Sequence, residues 1–304
     1  MRVAVTGATG MIGGALVREL RARGHEPIAL SRDAGAARQQ LEVEAYEWKA
    51  PKSEPPPLEA LRRSDAVVNL LGETIAQRWS DDTRREIRDS RVLSTRNLVA
   101  ALAELPEGER PRVLVSQSAS GWYGARAEER LDEAEPAGDD FLARLTVDWE
   151  AEADRAEQLG VRVVQTRTGV VLSESAGALE KMLPFFKLGI GGPVAGGRQY
   201  VPWIHLDDVV GAFLFALEND ALRGPVNVTA PEPVTNKELS RTLGRVLRRP
   251  AFAPVPALAV KTLYGEMASI VTTGQRAVPA RLQELGYEFR RPDLEQALRA
   301  ATGS

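Results

Sequence analysis

Short apolar runs rich in β-branched residues alternate with longer amphipathic stretches through the first half of the chain. The runs are Arg2–Thr6, Pro27–Leu30, Ala66–Leu71, Arg112–Ser116 and Val161–Thr166, and each has the length and composition of a strand. Between them, Met11–Arg23, Asp81–Glu104 and Asp140–Leu159 place apolar residues three and four apart, the spacing of a helix with one buried face. This rhythm predicts an α/β fold built on a doubly wound parallel sheet. The runs do not alternate apolar with polar positions, as expected where helices cover both faces. Gly, Ser or Asn residues follow each run, so a ligand site is expected along the carboxyl ends of the strands.

After Leu172 the pattern loosens. Gly189–Gly197 is Gly-rich and is expected to be a mobile flap, while the Pro-rich Ala50–Pro57 reads as a surface loop. From Pro231 onward the chain is mostly helical, punctuated by Pro250, Pro254, Pro256, Pro279 and Pro292. The expected organisation is a sheet domain of residues 1–172 and 203–230 and a smaller, mostly helical region of residues 173–202 and 231–304. That smaller region is expected to cover the carboxyl edge of the sheet, where substrate sites form.

Composition narrows the chemistry. The formal net charge of −3 leaves no basic field for nucleic acid, and the chain has no cysteine and only two histidines, His25 and His205. Disulfides, thiolate nucleophiles and cysteine-ligated metals are excluded, and no metal site is expected. No run approaches the ~20 apolar residues of a membrane span. A cytoplasmic monomer or homodimer acting on a small molecule is expected.

Directly after the first strand stands Thr6-Gly7-Ala8-Thr9-Gly10-Met11-Ile12-Gly13, opening the first helix. In that context Gly7 permits the tight turn, Gly10 lets backbone approach a pyrophosphate, and Gly13 lets the helix pack closely. Free N–H groups at the helix start hold the phosphates. The element order and this loop together predict a Rossmann fold binding a dinucleotide. The second strand ends in Ser31-Arg32, where an NAD-specific fold places a carboxylate. Ser31 can donate to a 2′-phosphate and Arg32 can pair with it, so the expected cofactor is NADP. Asp33 serves NAD instead if the strand runs two residues further.

Later segments resemble one sub-family of atypical extended short-chain dehydrogenases/reductases, the epimerase family proteins. The residues that carry the resemblance are Asn69-Leu70-Leu71-Gly72-Glu73, Arg78-Trp79, Ser90-Arg91, Ser116 to Gly124, Asp148-Trp149-Glu150, Arg167 to Leu172 and Trp203 to Asp208. Pro254–Leu298, with Gly265-Glu266, Gln275-Arg276 and Gly286-Tyr287, is similar to the C-terminal module of that sub-family. The resemblance implies that Leu70, Leu71 and Gly72 pass the cofactor ribose with backbone groups and that Glu86 and Arg91 reach it from the long helix. It also places Arg167, Gly169, Val170 and Val171 beside the nicotinamide. Asp208 reads as a helix cap, and His205 as a core histidine.

Extended members of that group use a Ser, a Tyr and a Lys four residues after the Tyr to exchange a proton with substrate. None of the five tyrosines here has a lysine at that spacing. The helix expected to carry the pair holds Leu145 and Trp149 in one register and Arg144 and Asp148 in another. Ser118 alone stands where the resemblance implies a catalytic residue, with Tyr123 or Lys181 as the altered proton donor facing substrate. Two readings stay open: an NADP-dependent oxidoreductase with an altered active site, and a non-catalytic NADP(H)-binding sensor or scaffold. A sugar epimerase is the third. Against it, Val201 stands where nucleotide-sugar enzymes carry a diphosphate-binding arginine.

Overall fold

A computed structural model of the chain describes residues 1–174 and 176–303. Ser175 and Ser304, both inside the smaller region expected from the sequence, lie outside the described residues. Seven strands form one sheet: β1 (Arg2–Thr6), β2 (Glu26–Ser31), β3 (Glu44–Glu47), β4 (Ala66–Asn69), β5 (Val113–Ala119), β6 (Arg162–Thr168) and β7 (Gly224–Val228). Their order is β3-β2-β1-β4-β5-β6-β7, and every pair is parallel. The order reverses at β1, between β2 and β4, and in such sheets that switch point opens the ligand crevice.

Both faces of the sheet are buried, which accounts for the missing alternation. Val3 and Val5 of β1, Val68 of β4 and Val115 of β5 pack on α1 (Met11–Ala22) and on the helix Leu206–Glu218. Their neighbours Ala4, Val67 and Leu114 point the other way, against α4 (Asp81–Glu104). Two strands escape the sequence pattern. β3 reads Glu-Ala-Tyr-Glu with only Ala45 buried, and β7 carries Pro225; both are edge strands, where one-sided pairing tolerates charge and proline.

The remaining helices are α2 (Ala34–Leu41), α3 (Leu58–Arg62), α5 (Phe141–Asp154), α6 (Gly177–Lys187), α7 (Leu206–Glu218), α8 (Asn236–Val246) and α9 (Ala257–Tyr264), followed by three short ones ending with Leu294–Thr302. The expected helix Asp140–Leu159 ends its α-helical part at Asp154 and continues as a 3-10 turn over Arg155–Leu159.

The C-terminal segment is tied to the sheet by polar contacts. Asp208, expected as a helix cap, is instead buried in the first turn of α7 and accepts from the backbone N–H groups of Arg290 (2.6 Å) and Arg291 (2.9 Å). The cap of α7 is His205, whose Nδ1 accepts from Asp207 N at 3.1 Å; burial lowers its pKa. The expected flap is also anchored. Ala195 N donates to Val255 O, Val255 N donates to Pro193 O, and a Cβ on Gly192 would lie 2.0 Å from Ala253 O. Gly191, Gly192 and Gly197 serve close packing, whereas a Cβ on Gly196, at φ +81°, would meet nothing within 4 Å.

Candidate cofactor and active site

At the end of β1 the chain turns through Gly7 at φ +63°, and a Cβ there would sit 2.9 Å from the carbonyl oxygen of Leu70. That approach brings the glycine loop against the end of β4. A Cβ on Gly13 would lie 2.3 Å from Gly7 O and 2.8 Å from Ala8 Cα, so the first turn of α1 packs directly on the loop. Gly10 is different: its nearest neighbour, Gly7 O, would be 3.3 Å away. Its freedom from a side chain is not demanded by the protein itself. The first i to i−4 bond of α1 runs from Gly14 N to Gly10 O, which leaves the N–H groups of Met11, Ile12 and Gly13 without a helical carbonyl to reach. No side chain caps this end, and no acidic residue occupies the first turn. The result is an open, positively polarised helix terminus at the switch point of the sheet.

One strand away, Asp33 caps α2, with Oδ1 accepting from Ala36 N at 2.8 Å. The backbone N–H of Asp33 donates to Ser31 Oγ at 3.3 Å. β2 therefore ends at Ser31, and the carboxylate that was the NAD alternative is committed to a helix end. Arg32 is exposed and has no ion-pair partner among the described residues.

The other residues assigned to the cofactor fall into two groups. Thr6 is wholly buried, and its hydroxyl donates to Asn69 Oδ1 and accepts from Leu70 N, both at 2.9 Å. Its side chain fixes the end of β4 from beneath. Arg91 likewise holds the chain after β4 in place. Its guanidinium donates to Ile87 O and Glu73 O, lies against Gly72 and over the Trp149 ring, and is desolvated enough to lower its pKa to about 10. Glu86 stands on the exposed face of α4 in an ion pair with Lys52 at 2.6 Å. Gly169 owes its lack of a side chain to Pro202, whose carbonyl would be 1.9 Å from a Cβ, and Val170–Leu172 pairs with Trp203–His205. Val170 and Val171 are half-buried on this edge, as are Leu70 and Leu71.

Each residue expected to do chemistry has a hydrogen-bond partner within the protein. Ser118 is 1% exposed, and its hydroxyl donates to Glu150 Oε1 at 2.5 Å. Arg167, expected beside the nicotinamide, is buried and grips both oxygens of Glu150 at 2.9 Å. Its guanidinium lies 3.7 Å from the centroid of the Trp122 ring. Burial works against its charge, but bonding to Glu150 raises its pKa. Tyr123, expected to face substrate, is 0% exposed. Its hydroxyl donates to Asn227 Oδ1 at 2.7 Å, and burial pushes its pKa up to about 12. Lys181 is exposed on α6 and donates to Ala76 O at 2.8 Å; it bridges α6 to the loop after β4 and has no bond to this network.

The direction of these bonds is fixed by groups that only donate or only accept. Asn227 Nδ2 donates to the carbonyls of Val278 (2.9 Å) and Leu131 (3.3 Å), so its oxygen faces Tyr123 and receives the tyrosine proton. Arg167 can only donate, so Glu150 is an acceptor and Ser118 must give its proton inward. The hydroxyl protons of Ser118 and Tyr123 both point into the protein. Sequence reading gives no role to Glu150, Asn227 or Glu133, the last of which accepts from Asn227 N at 2.9 Å. Glu150 left one signal: with Ala143, Thr146 and Ala153 it falls on the buried stripe of α5, a place where a carboxylate needs a partner.

Comparison with known proteins follows the same outline. The NAD dependent epimerase/dehydratase family matches residues 3–229, and a domain of unknown function (DUF1731) matches residues 255–301. The chloroplastic SDR39U1 homolog of Arabidopsis thaliana, an epimerase family protein, is 42% identical over 300 residues, which cover 99% of this chain and 86% of the relative. The crystal structure of human epimerase family protein SDR39U1 (isoform 2) with NADPH superposes with a TM-score of 0.89 at 35% identity, covering 100% of both chains. A nucleoside-diphosphate sugar epimerase from Corynebacterium glutamicum gives a TM-score of 0.79 at 32% identity, covering 100% of this chain and 58% of that one.

Proposed function

The chain belongs to the NAD dependent epimerase/dehydratase family, and on that premise we propose that it binds NADP(H) in the crevice at the switch point of its sheet, without a Ser–Tyr–Lys proton relay. The observation that carries this reading is the pairing of two open sites on adjacent strands. The uncapped start of α1 offers Met11, Ile12 and Gly13 N–H groups to a pyrophosphate. Ser31 and the unpaired Arg32 stand at the end of β2, where a 2′-phosphate is recognised, with Asp33 occupied as a cap. Thr6 and Arg91 hold the wall at Leu70–Gly72 in place rather than touching the dinucleotide. NADPH in the related human structure supports the choice of cofactor.

Such a cofactor supplies hydride transfer. A second reading, an NADP-dependent oxidoreductase acting on a small molecule, is favoured by the buried Glu150–Arg167 pair. Buried ion pairs are seldom the most stable way to fill a core, and at the carboxyl edge of a sheet they often mark function. General acid–base help typically contributes ~10²–10⁴-fold to a rate. With the Ser118 and Tyr123 protons held inward, reduction of generic aldehydes, ketones and UDP-sugars is expected to be slow or absent despite firm NADPH binding. Screening metabolite extracts by NADPH absorbance, followed by Ser118→Ala on any hit, separates the two readings. Turnover of a metabolite establishes the oxidoreductase, and its fall in Ser118→Ala at unchanged NADPH affinity shows that it depends on the Ser118–Glu150 bond; brisk turnover of generic carbonyls overturns the relay-free site.

A further inference from the structure

Two adjoining turns at the far end of α6 display large apolar side chains to solvent. Phe185 is 54% exposed, Leu188 75%, Ile190 57% and Phe252 80%. They form one patch. Ile190 N donates to Phe185 O, and a Cβ on Gly189 would touch the Pro250 ring at 3.3 Å, which sets Leu188–Ile190 beside Pro250–Phe252. A folded protein rarely concentrates such side chains at turn tips without a use for them.

The patch has a cationic border. A pocket of about 280 Å³ lies between Pro193, Lys237, Arg241, Arg249, Ala251 and Phe252. Residues 236–252 hold five basic side chains and one acidic one, in a chain of net charge −3. Among the described residues, Arg245 alone of the five has an ion-pair partner, Glu295. Lys237 and Arg241 are four apart on α8, where like charges repel mildly.

We propose that this face docks on an anionic phospholipid surface, the pocket receiving a lipid phosphate while Phe185, Leu188, Ile190 and Phe252 enter the interface. The shape of the patch favours a bilayer over an acidic protein. Apolar groups standing out at turn tips with flanking Lys and Arg suit insertion among headgroups, whereas a protein partner is gripped in well-packed pockets that bury its anchors. A second copy of the chain is disfavoured, since a two-fold contact through this face would set its unpaired cations against each other. No described helix is long and apolar enough to cross a membrane, so the contact is peripheral.

The test is co-sedimentation of the intact protein with vesicles of phosphatidylcholine alone and of phosphatidylcholine mixed with phosphatidylglycerol. Binding is expected only to the mixed vesicles and should weaken with salt. At ~1 kcal/mol per basic residue near such a surface, the triple variant Lys237→Gln, Arg241→Gln, Arg249→Gln should bind on the order of 100-fold more weakly. Leu188→Ser with Phe252→Ser should release the protein as well. All five positions are exposed and lie away from the glycine loop, so unchanged NADPH affinity serves as the folding control. Absence of binding to the mixed vesicles overturns the proposal, as does binding indifferent to either variant. Capture of free glycerol phosphate with no vesicle binding makes this a soluble-anion site and also overturns it.

Discussion

Glu150→Ala is expected to destabilise the protein by roughly 3–5 kcal/mol, because it leaves the Arg167 charge buried and unpaired. Arg167 is 2% exposed and cannot swing its guanidinium into water without unstacking from Trp122. The same change deprives the Ser118 hydroxyl of its acceptor. Replacing both charges together, Glu150→Leu with Arg167→Met, is expected to recover most of the loss. About 1–3 kcal/mol should remain, for the buried Ser118 hydroxyl left without its acceptor and for the Tyr123 oxygen, which loses the Arg167 N–H at 3.4 Å but keeps Asn227. Urea denaturation of the two single variants and the double variant measures the coupling. A double variant as unstable as the sum of the singles would show that the two charges do not stabilise each other.

The glycines of the first turn are expected to separate packing from binding. Gly13→Ala puts a methyl group 2.3 Å from the Gly7 carbonyl and 2.8 Å from Ala8 Cα. Both neighbours are backbone, so the cost should reach the upper end of the ~1–3 kcal/mol typical of overpacking, and NADPH binding should fail with the distorted loop. Gly10→Ala meets only Gly7 O at 3.3 Å, in an extended conformation that alanine adopts freely. Its stability should stay within about 1 kcal/mol of the parent. Its affinity for NADPH should nevertheless fall on the order of 100-fold, the worth of two charge-assisted bonds of ~1.5 kcal/mol each to a pyrophosphate held away by the new methyl. A Gly10→Ala protein that binds NADPH normally would remove the pyrophosphate from that position.

How far the sequence discloses this arrangement depends on the distance over which each feature is built. The sheet is legible because burial on both faces turns Val3, Ala4 and Val5, or Ala66, Val67 and Val68, into unbroken apolar runs. α4 is bounded at Asp81 and Glu104 as its spacing predicts, since Ser80 supplies a local cap. β3 is invisible, with one buried residue in four. The glycine loop is readable from eight consecutive residues in a strand–turn–helix context. Whether Asp33 or Arg32 faces the end of β2 depends on one capping bond, which spacing alone leaves open. The Ser118 network is hidden for a different reason. Its members come from β5, the turn after it, α5, β6 and β7, and Tyr123 and Asn227 are 104 positions apart. Ser118 stands at the carboxyl end of its strand where a catalytic serine is expected, and only the packing of α5 shows that its proton turns inward to Glu150. Asp208 was similarly ambiguous, because an acidic residue in a first turn reads as favourable to the helix whether or not a distant loop claims its oxygens.

On the function proposed above, the start of α1 together with Arg32 recognises the dinucleotide. Calorimetric titration of the protein and of Arg32→Ala with NADPH and with NADH tests it most directly. One charge-assisted contact contributes on the order of 1.5–3 kcal/mol, which predicts a roughly 10- to 150-fold preference for NADPH that Arg32→Ala largely abolishes while NADH affinity stays the same. Equal affinities for the two dinucleotides, or tighter binding of NADH, would remove Arg32 from the 2′ position and return it to Asp33.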